Sequence, residues 1–186
     1  MTTSNPLTSG AFEKAAHNDT IGDNHVGTSV DTPMRADAFA LTDEEKMARI
    51  APLFREIMET LGLDLTDDSL SGTPKRVAKM YVQEIFKGLN PENHPVCRTF
   101  NNTYEYGEML VEKDINLNST CEHHFLPIAG RAHGAYKSSG QVIGLSKINR
   151  LVDFYAKRPQ VQERLTRQIA EALKAILDTE DVAVII

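Results

Sequence analysis

Four consecutive residues in the middle of the chain, Cys121-Glu122-His123-His124, combine a thiol, a carboxylate and two imidazoles. In this CEHH segment, Cys121 and His124 have the Cys-x-x-His spacing, which lets one turn of backbone direct a sulfur and a nitrogen at one ion. Zinc is the metal that such ligands favour. This assignment leaves His123 and Glu122 for acid–base work. By itself the spacing is more typical of a loop cysteine beside surface histidines, so other parts of the chain must distinguish the two.

Cationic residues follow the starts of two predicted helices. Because a helix N-terminus carries a partial positive charge, cations there are better explained if an anion binds at the same place. A solvated basic surface is the alternative interpretation. The residues concerned are Lys75, Arg76 and Lys79 in one helix and Lys147 and Arg150 in the other.

Alternating apolar residues predict two strands on either side of the CEHH segment. Met109, Val111, Ile115 and Leu117 alternate with polar residues, which indicates a half-buried strand, and residues 126–136 alternate in the same way. We expect these two strands to pair antiparallel with the CEHH segment between them. Shorter strands are expected at 142–145 and 182–186.

Helical spacing and end signals predict four helices. The first begins after the cap Thr42 and ends at Gly62, and a polar loop follows at residues 66–69. The second begins at the cap Thr73 and ends at Gly88. The third begins at the cap Ser146, and the fourth follows Pro159. The buried face expected for the first helix consists of Met47, Ile50, Leu53, Phe54, Ile57 and Leu61.

The composition is that of a globular protein from a reducing compartment. The chain has 186 residues, 41% of them hydrophobic, which suits one domain. A net charge of −6 argues against nucleic-acid binding, and no apolar run approaches the length of a membrane span. Two cysteines and the lack of a signal-like segment predict a cytoplasmic location.

The first part of the chain differs from the rest. Residues 1–40 are polar and aperiodic and are expected to form a mostly disordered tail. The domain is then expected at 41–186, with a helical part at 41–90 and a sheet part at 91–186.

Several longer segments make the pattern specific, and they occur in order along the chain. They resemble GTP cyclohydrolase I, the zinc enzyme that opens the guanine ring of GTP, and the similarity covers roughly residues 42–186. The matching segments are TPKRVAKM at 73–80, STCEHH at 119–124, IGLSKINR at 143–150 and RPQVQERLT at 158–166.

The resemblance implies a fold and an assembly. The fold would be the tunnelling fold, an α+β architecture with an antiparallel sheet and helices packed on one face. Subunit sheets would form a barrel in a pentamer, two pentamers would stack into a homodecamer, and the active sites would lie between subunits.

The resemblance also implies roles for individual residues. Cys121 and His124 would ligate Zn²⁺, and His123 would donate a proton near the imidazole ring of guanine. Glu163, with Gln162 beside it, would recognise guanine, because a carboxylate can accept from the adjacent N1–H and N2–H, a pair that adenine lacks. The triphosphate of GTP would be held by Ser146, Lys147 and Arg150, with Arg76 and Lys79 adding to the clamp partly from a neighbouring subunit.

The implied reaction is a zinc-dependent hydrolysis and rearrangement of GTP. Zinc activates water for attack at C8 of the purine, the ring opens, and a second hydrolytic step releases formate. An Amadori-type rearrangement of the sugar and closure of the ring then give 7,8-dihydroneopterin triphosphate, the first step of folate and pterin biosynthesis.

The chain departs from the family pattern in one respect. The third zinc ligand of the family is a cysteine downstream of the strand that begins here at Val182, in a segment with a further catalytic histidine and a phosphate-binding arginine. This chain ends at Ile186. It is expected to be a C-terminally incomplete copy of an ordinary enzyme, which the stop inside an apolar run favours. The alternative is a natural short form that binds GTP or joins the oligomer without turnover.

A third alternative is a nitrile reductase of deazaguanine metabolism, which is related by fold. Such an enzyme needs a nucleophilic cysteine, for which Cys121 would serve, and a nicotinamide cofactor. His124 and the segments at 143–150 and 158–166 fit the cyclohydrolase better, and an assay of NADPH consumption separates the two.

Overall fold

A computed structural model describes residues 27–186. The predicted tail therefore lies outside the described residues for positions 1–26. Residues 27–40 contain no helix or strand, and the carbonyl of Ser29 accepts a hydrogen bond from Arg164 Nε at 2.8 Å.

The helices are α1 (Asp43–Thr60), α2 (Asp68–Ser71), α3 (Thr73–Met80), α4 (Leu145–Ala156) and α5 (Gln162–Leu177). The strands are β1 (Thr99–Asn101), β2 (Met109–Cys121), β3 (Pro127–Lys137), β4 (Gln141–Ile143), β5 (Pro159–Gln160) and β6 (Val182–Ile185).

The first helix begins where the sequence predicts. Thr42 Oγ1 accepts from the backbone N–H of Glu45, and Glu45 accepts in return from the backbone N–H of Thr42, which is a complete capping box. The hydrogen bond from the Thr42 backbone holds the pKa of Glu45 below its usual value. The two reciprocal bonds satisfy amide groups that a helix start otherwise leaves unpaired.

The buried face predicted for α1 is wrong in part. Met58 is the buried residue of the helix, whereas Leu53, Ile57 and Leu61 are exposed. The helix packs mainly on α3, and one small helix cannot cover the whole apolar stripe. The periodicity identified the helix correctly but did not identify which part of the stripe contacts α3.

The second predicted helix also starts and ends differently. Gly72, not Thr73, is the cap of α3, and the predicted polar loop contains the short helix α2, whose cap Asp67 accepts from the backbone of Ser69. After Met80 the chain continues as a π-helical turn at Tyr81–Ile85 and a 3₁₀ turn at Lys87–Leu89, so Gly88 lies inside a turn and does not end an α-helix.

One mixed sheet carries the core. Its strand order is β5-β2-β3-β6, with β2 and β3 antiparallel from Met109↔Lys137 to Thr120↔Pro127. The prediction of a wholly antiparallel sheet fails at β5, which pairs parallel to the end of β2 over two residues. Strands β1 and β4 form a separate small sheet. The helices α4 and α5 pack on the main sheet, so the predicted α+β class is confirmed.

A bulge in β2 reverses the face on which its first residues lie. Glu112 pairs with Gly134 and Ile115 with Ala132, so β2 has one residue more than β3 in this interval. Asp114 adopts the left-handed region at φ 57°. Ile115 is buried beneath the helices as predicted, but Met109 and Val111 are exposed, because the extra residue moves them to the opposite face.

The helix α4 packs on β2, and its last residue lies close to the CEHH segment. Near its start, the backbone N–H of Ile143 donates to the hydroxyl of Tyr136, close to the end of β3. At its end, the carbonyl of Ala156 accepts from Ser119 Oγ at 2.7 Å, close to the CEHH segment. The prediction that Ser146 caps this helix is wrong, because Gly144 is the cap and α4 begins at Leu145. Across residues 27–186, no helix is both long and apolar enough to span a membrane.

Candidate active site

The CEHH segment forms the tight connection between β2 and β3, as the sequence predicts. Cys121 is the last residue of β2, and its backbone N–H donates to the carbonyl of Leu126 at 2.8 Å. Its carbonyl accepts from the backbone N–H of Phe125 at 2.9 Å, and Phe125 has a positive φ of 56°. These bonds close the turn and present its side chains at one end of the sheet.

The sulfur and imidazole groups of the turn lie close together. Cys121 Sγ lies 3.7 Å from His123 Nδ1, and the rings of His123 and His124 have their centroids 6.5 Å apart. The thiol is half-buried, whereas both histidines are exposed. The turn therefore offers a thiol and two imidazoles to a molecule that approaches from solvent.

As metal ligands, Cys121 and His124 fit two positions of a site. Thiolate and imidazole are the donors that zinc prefers, and a catalytic zinc normally has three protein ligands. Across residues 27–186, no group of three or more His, Cys, Asp and Glu side chains is arranged to hold a metal. Strand β6 runs antiparallel to β3, from Val182↔Tyr136 to Ile185↔His133, and so points toward the end of the sheet that carries the CEHH segment.

Glu122 has a different position from the one that the sequence suggests. Its carboxylate binds Arg164 through both oxygens, with distances of 2.5 Å from Nη1 to Oε2 and 3.3 Å from Nη2 to Oε1. His123 Nε2 lies 3.9 Å from Glu122 Oε1. Both carboxylate oxygens are therefore engaged by a guanidinium, which opposes the expectation that Glu122 takes part in acid–base work.

The start of α5 lies beside the CEHH segment. Cys121 is paired with Gln160 in β5, and the backbone N–H of Glu122 donates to the carbonyl of Gln160 at 3.0 Å. Gln162 and Glu163 follow in the first turn of α5 and are exposed. Gln162 Nε2 donates to the carbonyl of Ile186 at 2.7 Å, so the end of β6 also reaches this place.

The cations predicted to bind phosphate form a separate group within the chain. The α4-start cluster (Ser146, Lys147 and Arg150) lies farther along the hairpin from the CEHH segment than the end of α4 does. A Cβ placed on Gly134 would lie 3.5 Å from Ile148 of α4, whereas Ser119 contacts the other end of that helix. Gly134 is six residues from Ile128, the partner of Ser119, which corresponds to roughly 20 Å along a strand.

The remaining predicted cations lie in the helical part. Arg76 Nη2 donates to the carbonyl of Ser69 at 3.1 Å and to Thr73 Oγ1 at 2.8 Å, so its guanidinium binds the turn between α2 and α3. Lys79 is exposed on α3. The contacts of Arg76 are local, and the structure does not bring it to the CEHH segment of the same chain.

Sequence reasoning missed the buried polar residues that join α5 to the sheet. Arg164 and Gln168 are buried, and Gln160 Nε2 donates to Gln168 Oε1 at 2.9 Å. A signal for them was present, because Arg164 and Gln168 lie on the same helical stripe as the buried Leu165 and Ile169. Polar side chains inside an apolar stripe require buried partners.

Comparison with known proteins gives consistent matches. A family model described as GTP cyclohydrolase I matches residues 50–186. The chain is 62% identical over 168 residues to a GTP cyclohydrolase 1 of Flavobacterium johnsoniae, covering 90% of this chain and 75% of that protein. It is 56% identical over 155 residues to the GTP cyclohydrolase 1 of Aeromonas salmonicida, covering 83% and 70%. For the GTP cyclohydrolase 1 of Vibrio cholerae, the identity is 53% over 157 residues, covering 84% and 71%.

Proposed function

The chain belongs to the GTP cyclohydrolase I family, and we propose that it hydrolyses and rearranges GTP to 7,8-dihydroneopterin triphosphate and formate in the cytoplasm, on a tunnelling fold. The observation that carries this proposal is the junction of the CEHH segment with the start of α5. The backbone hydrogen bond from Glu122 to Gln160 and the Arg164–Glu122 pair hold these two elements together. Groups for metal binding, proton donation and base recognition thereby lie at one end of the sheet.

Cys121 and His124 hold zinc in this proposal. When bound, zinc supplies an activated water and a Lewis acid for attack at C8 of the purine. The third ligand is the cysteine that the resemblance implies after β6. The direction of β6 supports this assignment, because the strand runs toward the CEHH segment and its end is held by Gln162 beside α5.

Glu163 selects guanine over adenine. Its carboxylate is exposed in the first turn of α5, where two oxygens can accept from N1–H and N2–H of guanine as a pair. Adenine offers no such pair of donors and leaves the carboxylate without partners, which disfavours its binding. Gln162 contributes an amide group at the same helix start.

His123 donates the proton to the ring nitrogen as the bond from C8 opens. Its ring lies between the thiol of Cys121, at 3.7 Å, and the carboxylate of Glu122, at 3.9 Å, and one side is exposed to solvent. An imidazole suits this role because its ring nitrogens can both carry and release a proton. The neighbouring groups orient the ring toward the approaching substrate.

The triphosphate of GTP is held by the α4-start cluster of a neighbouring subunit. Within one chain the start of α4 packs near Gly134, roughly 20 Å along β3 from Ile128 beside the CEHH segment, and this separation supports a site completed by a second copy. Arg76 and Lys79 of another subunit add charge to the clamp. This arrangement agrees with the homodecamer of two stacked pentamers that the resemblance implies.

The direct test is incubation of the zinc-loaded protein with GTP. We expect formate and a product that becomes a fluorescent pterin on oxidation, and no product from ATP. Glu163→Gln should lose most of this activity, whereas Glu171→Gln, an exposed change farther along α5, should not. A full-length, zinc-loaded protein that carries the third ligand but releases neither formate nor pterin would contradict the proposal, and GTP binding without turnover would favour the non-catalytic alternative.

A further inference from the structure

A buried arginine joins the two halves of the candidate site. Arg164 is 3% exposed, and its side chain lies between α5, the CEHH segment and residues 27–32. Nη1 and Nη2 donate to the two oxygens of Glu122 at 2.5 and 3.3 Å. Nε donates to the carbonyl of Ser29 at 2.8 Å, and Nη1 also lies 3.5 Å from the carbonyl of Pro159.

The two partners of this ion pair are direct sequence neighbours of the residues assigned to the chemistry. Arg164 follows Glu163 in the first turn of α5, and Glu122 stands between Cys121 and His123. Since adjacent residues share a backbone, a fixed distance between Arg164 and Glu122 also fixes the distance between Glu163 and His123. A bidentate guanidinium–carboxylate pair constrains both distance and plane, which a single hydrogen bond does not.

We propose that Arg164 is a positioning residue: its bidentate grip on Glu122 sets the CEHH segment against the start of α5, so that His123 and Glu163 act on the same purine ring. This inference rests on the proposed function. It gives Glu122 the role of a positioning group held by Arg164, in place of a role as acid, base or ligand.

Burial explains why the pair suits this role. The Arg164 guanidinium has lost its hydration, and removal of Glu122 leaves that buried charge without compensation. The Arg164–Glu122 pair therefore strongly prefers one arrangement. An exposed pair such as Arg55–Glu59, whose side chains are about half exposed, is not restricted in this way. A rigid support is what catalysis requires, because a displacement of about 1 Å can reduce a rate by about 100-fold.

Three variants separate positioning from simple stability. Glu122→Gln keeps the shape and an acceptor oxygen but removes the charge, Arg164→Lys keeps the charge but removes the fork, and Arg164→Met removes both. Glu122 is 21% exposed, so Glu122→Gln should fold even if the Arg164 variants do not. Glu171→Gln is the matched control, because Glu171 is exposed on the same helix and pairs with Lys174.

The measurement is kcat and KM for GTP on each zinc-loaded enzyme, at a temperature well below every melting midpoint. We expect Glu122→Gln and Arg164→Lys to lower kcat by about 10- to 100-fold. We expect KM to change less than about threefold, because the α4-start cluster that binds the triphosphate is untouched. A lower melting midpoint with an unchanged kcat, or a raised KM with an unchanged kcat, would overturn the positioning role.

A second readout does not depend on turnover. The visible absorption of Co²⁺ bound in place of zinc reports the geometry at Cys121 and His124, and we expect it to shift in Glu122→Gln but not in Glu171→Gln. If full-length wild-type protein that carries the third ligand fails to turn over GTP, the proposed function is wrong, and the Co²⁺ spectrum alone then judges the positioning role. Identical spectra in wild type and Glu122→Gln would overturn it.

Discussion

A mixture of two inactive variants should recover activity if each site is shared between subunits. Cys121→Ala removes a proposed metal ligand in the CEHH segment, and Lys147→Ala removes a cation from the α4-start cluster. Within one chain the start of α4 packs near Gly134, roughly 20 Å along β3 from Ile128 beside the CEHH segment, and the proposal assigns the two groups to different subunits. Each variant alone should therefore be inactive, but the two lesions need not fall in the same site.

The size of the recovery follows from counting. If the CEHH segment comes from one chain and the α4-start cluster from a neighbour, random mixing of equal amounts leaves about one quarter of the sites with neither substitution. Co-expression with two different tags, tandem purification and measurement of pterin formation should thus give up to about 25% of wild-type activity.

The control and the contradicting result are equally specific. Co-expressed Cys121→Ala and His124→Ala should recover nothing, because both residues belong to the same turn and every site contains one lesion. If Cys121→Ala with Lys147→Ala yields no more activity than the two variants measured alone, the assignment of the two groups to different subunits is refuted.

Two further predictions concern packing and a second thiol. Gly88→Ala should lower the free energy of unfolding in urea by roughly 3 kcal/mol, because the new Cβ would lie 2.0 Å from the carbonyl oxygen of Phe154. Gly107→Ala is the control and should be near neutral, because its Cβ would meet nothing within 4 Å. Equal urea midpoints for the two variants would contradict the close approach at Gly88. In the folded protein, Cys97 should react with iodoacetamide more slowly at about pH 8 than it does in the urea-unfolded chain, and its reaction should become faster as the pH rises. The reason is that burial raises the pKa of the Cys97 thiol, although nearby Lys147 lowers it in part. Equal rates of Cys97 modification in the folded and unfolded chain, measured by mass spectrometry, would refute this.

Local patterns predicted the elements well where neighbouring residues decide the outcome. The capping box at Thr42 and Glu45 involves residues three positions apart, and the structure shows both of its hydrogen bonds. The hairpin around the CEHH segment follows from two alternating stretches on either side of a short turn. Such features depend on short-range geometry, which residue types and spacing express directly.

The same patterns failed where distant residues compete. Met109 and Val111 share the alternation of Ile115 and Leu117, but the bulge at Asp114 turns them to the opposite face. The apolar stripe of α1 likewise gave no indication that Leu53 and Leu61 would stay exposed. Both outcomes depend on which surface packs against the element, and that surface is made by other parts of the chain.

For the candidate site, the sequence by itself determined the chemical groups and their local order: a thiol and two imidazoles in one turn, a carboxylate at a helix start, and cations at another. Only the tertiary structure decided which groups meet. It brings Arg164 to Glu122 across 42 residues of sequence and packs the start of α4, which carries Lys147, near Gly134 and away from Cys121. The physical reason is that spacing controls contacts within a turn, whereas contacts between elements depend on strand direction, helix crossing and burial of charge.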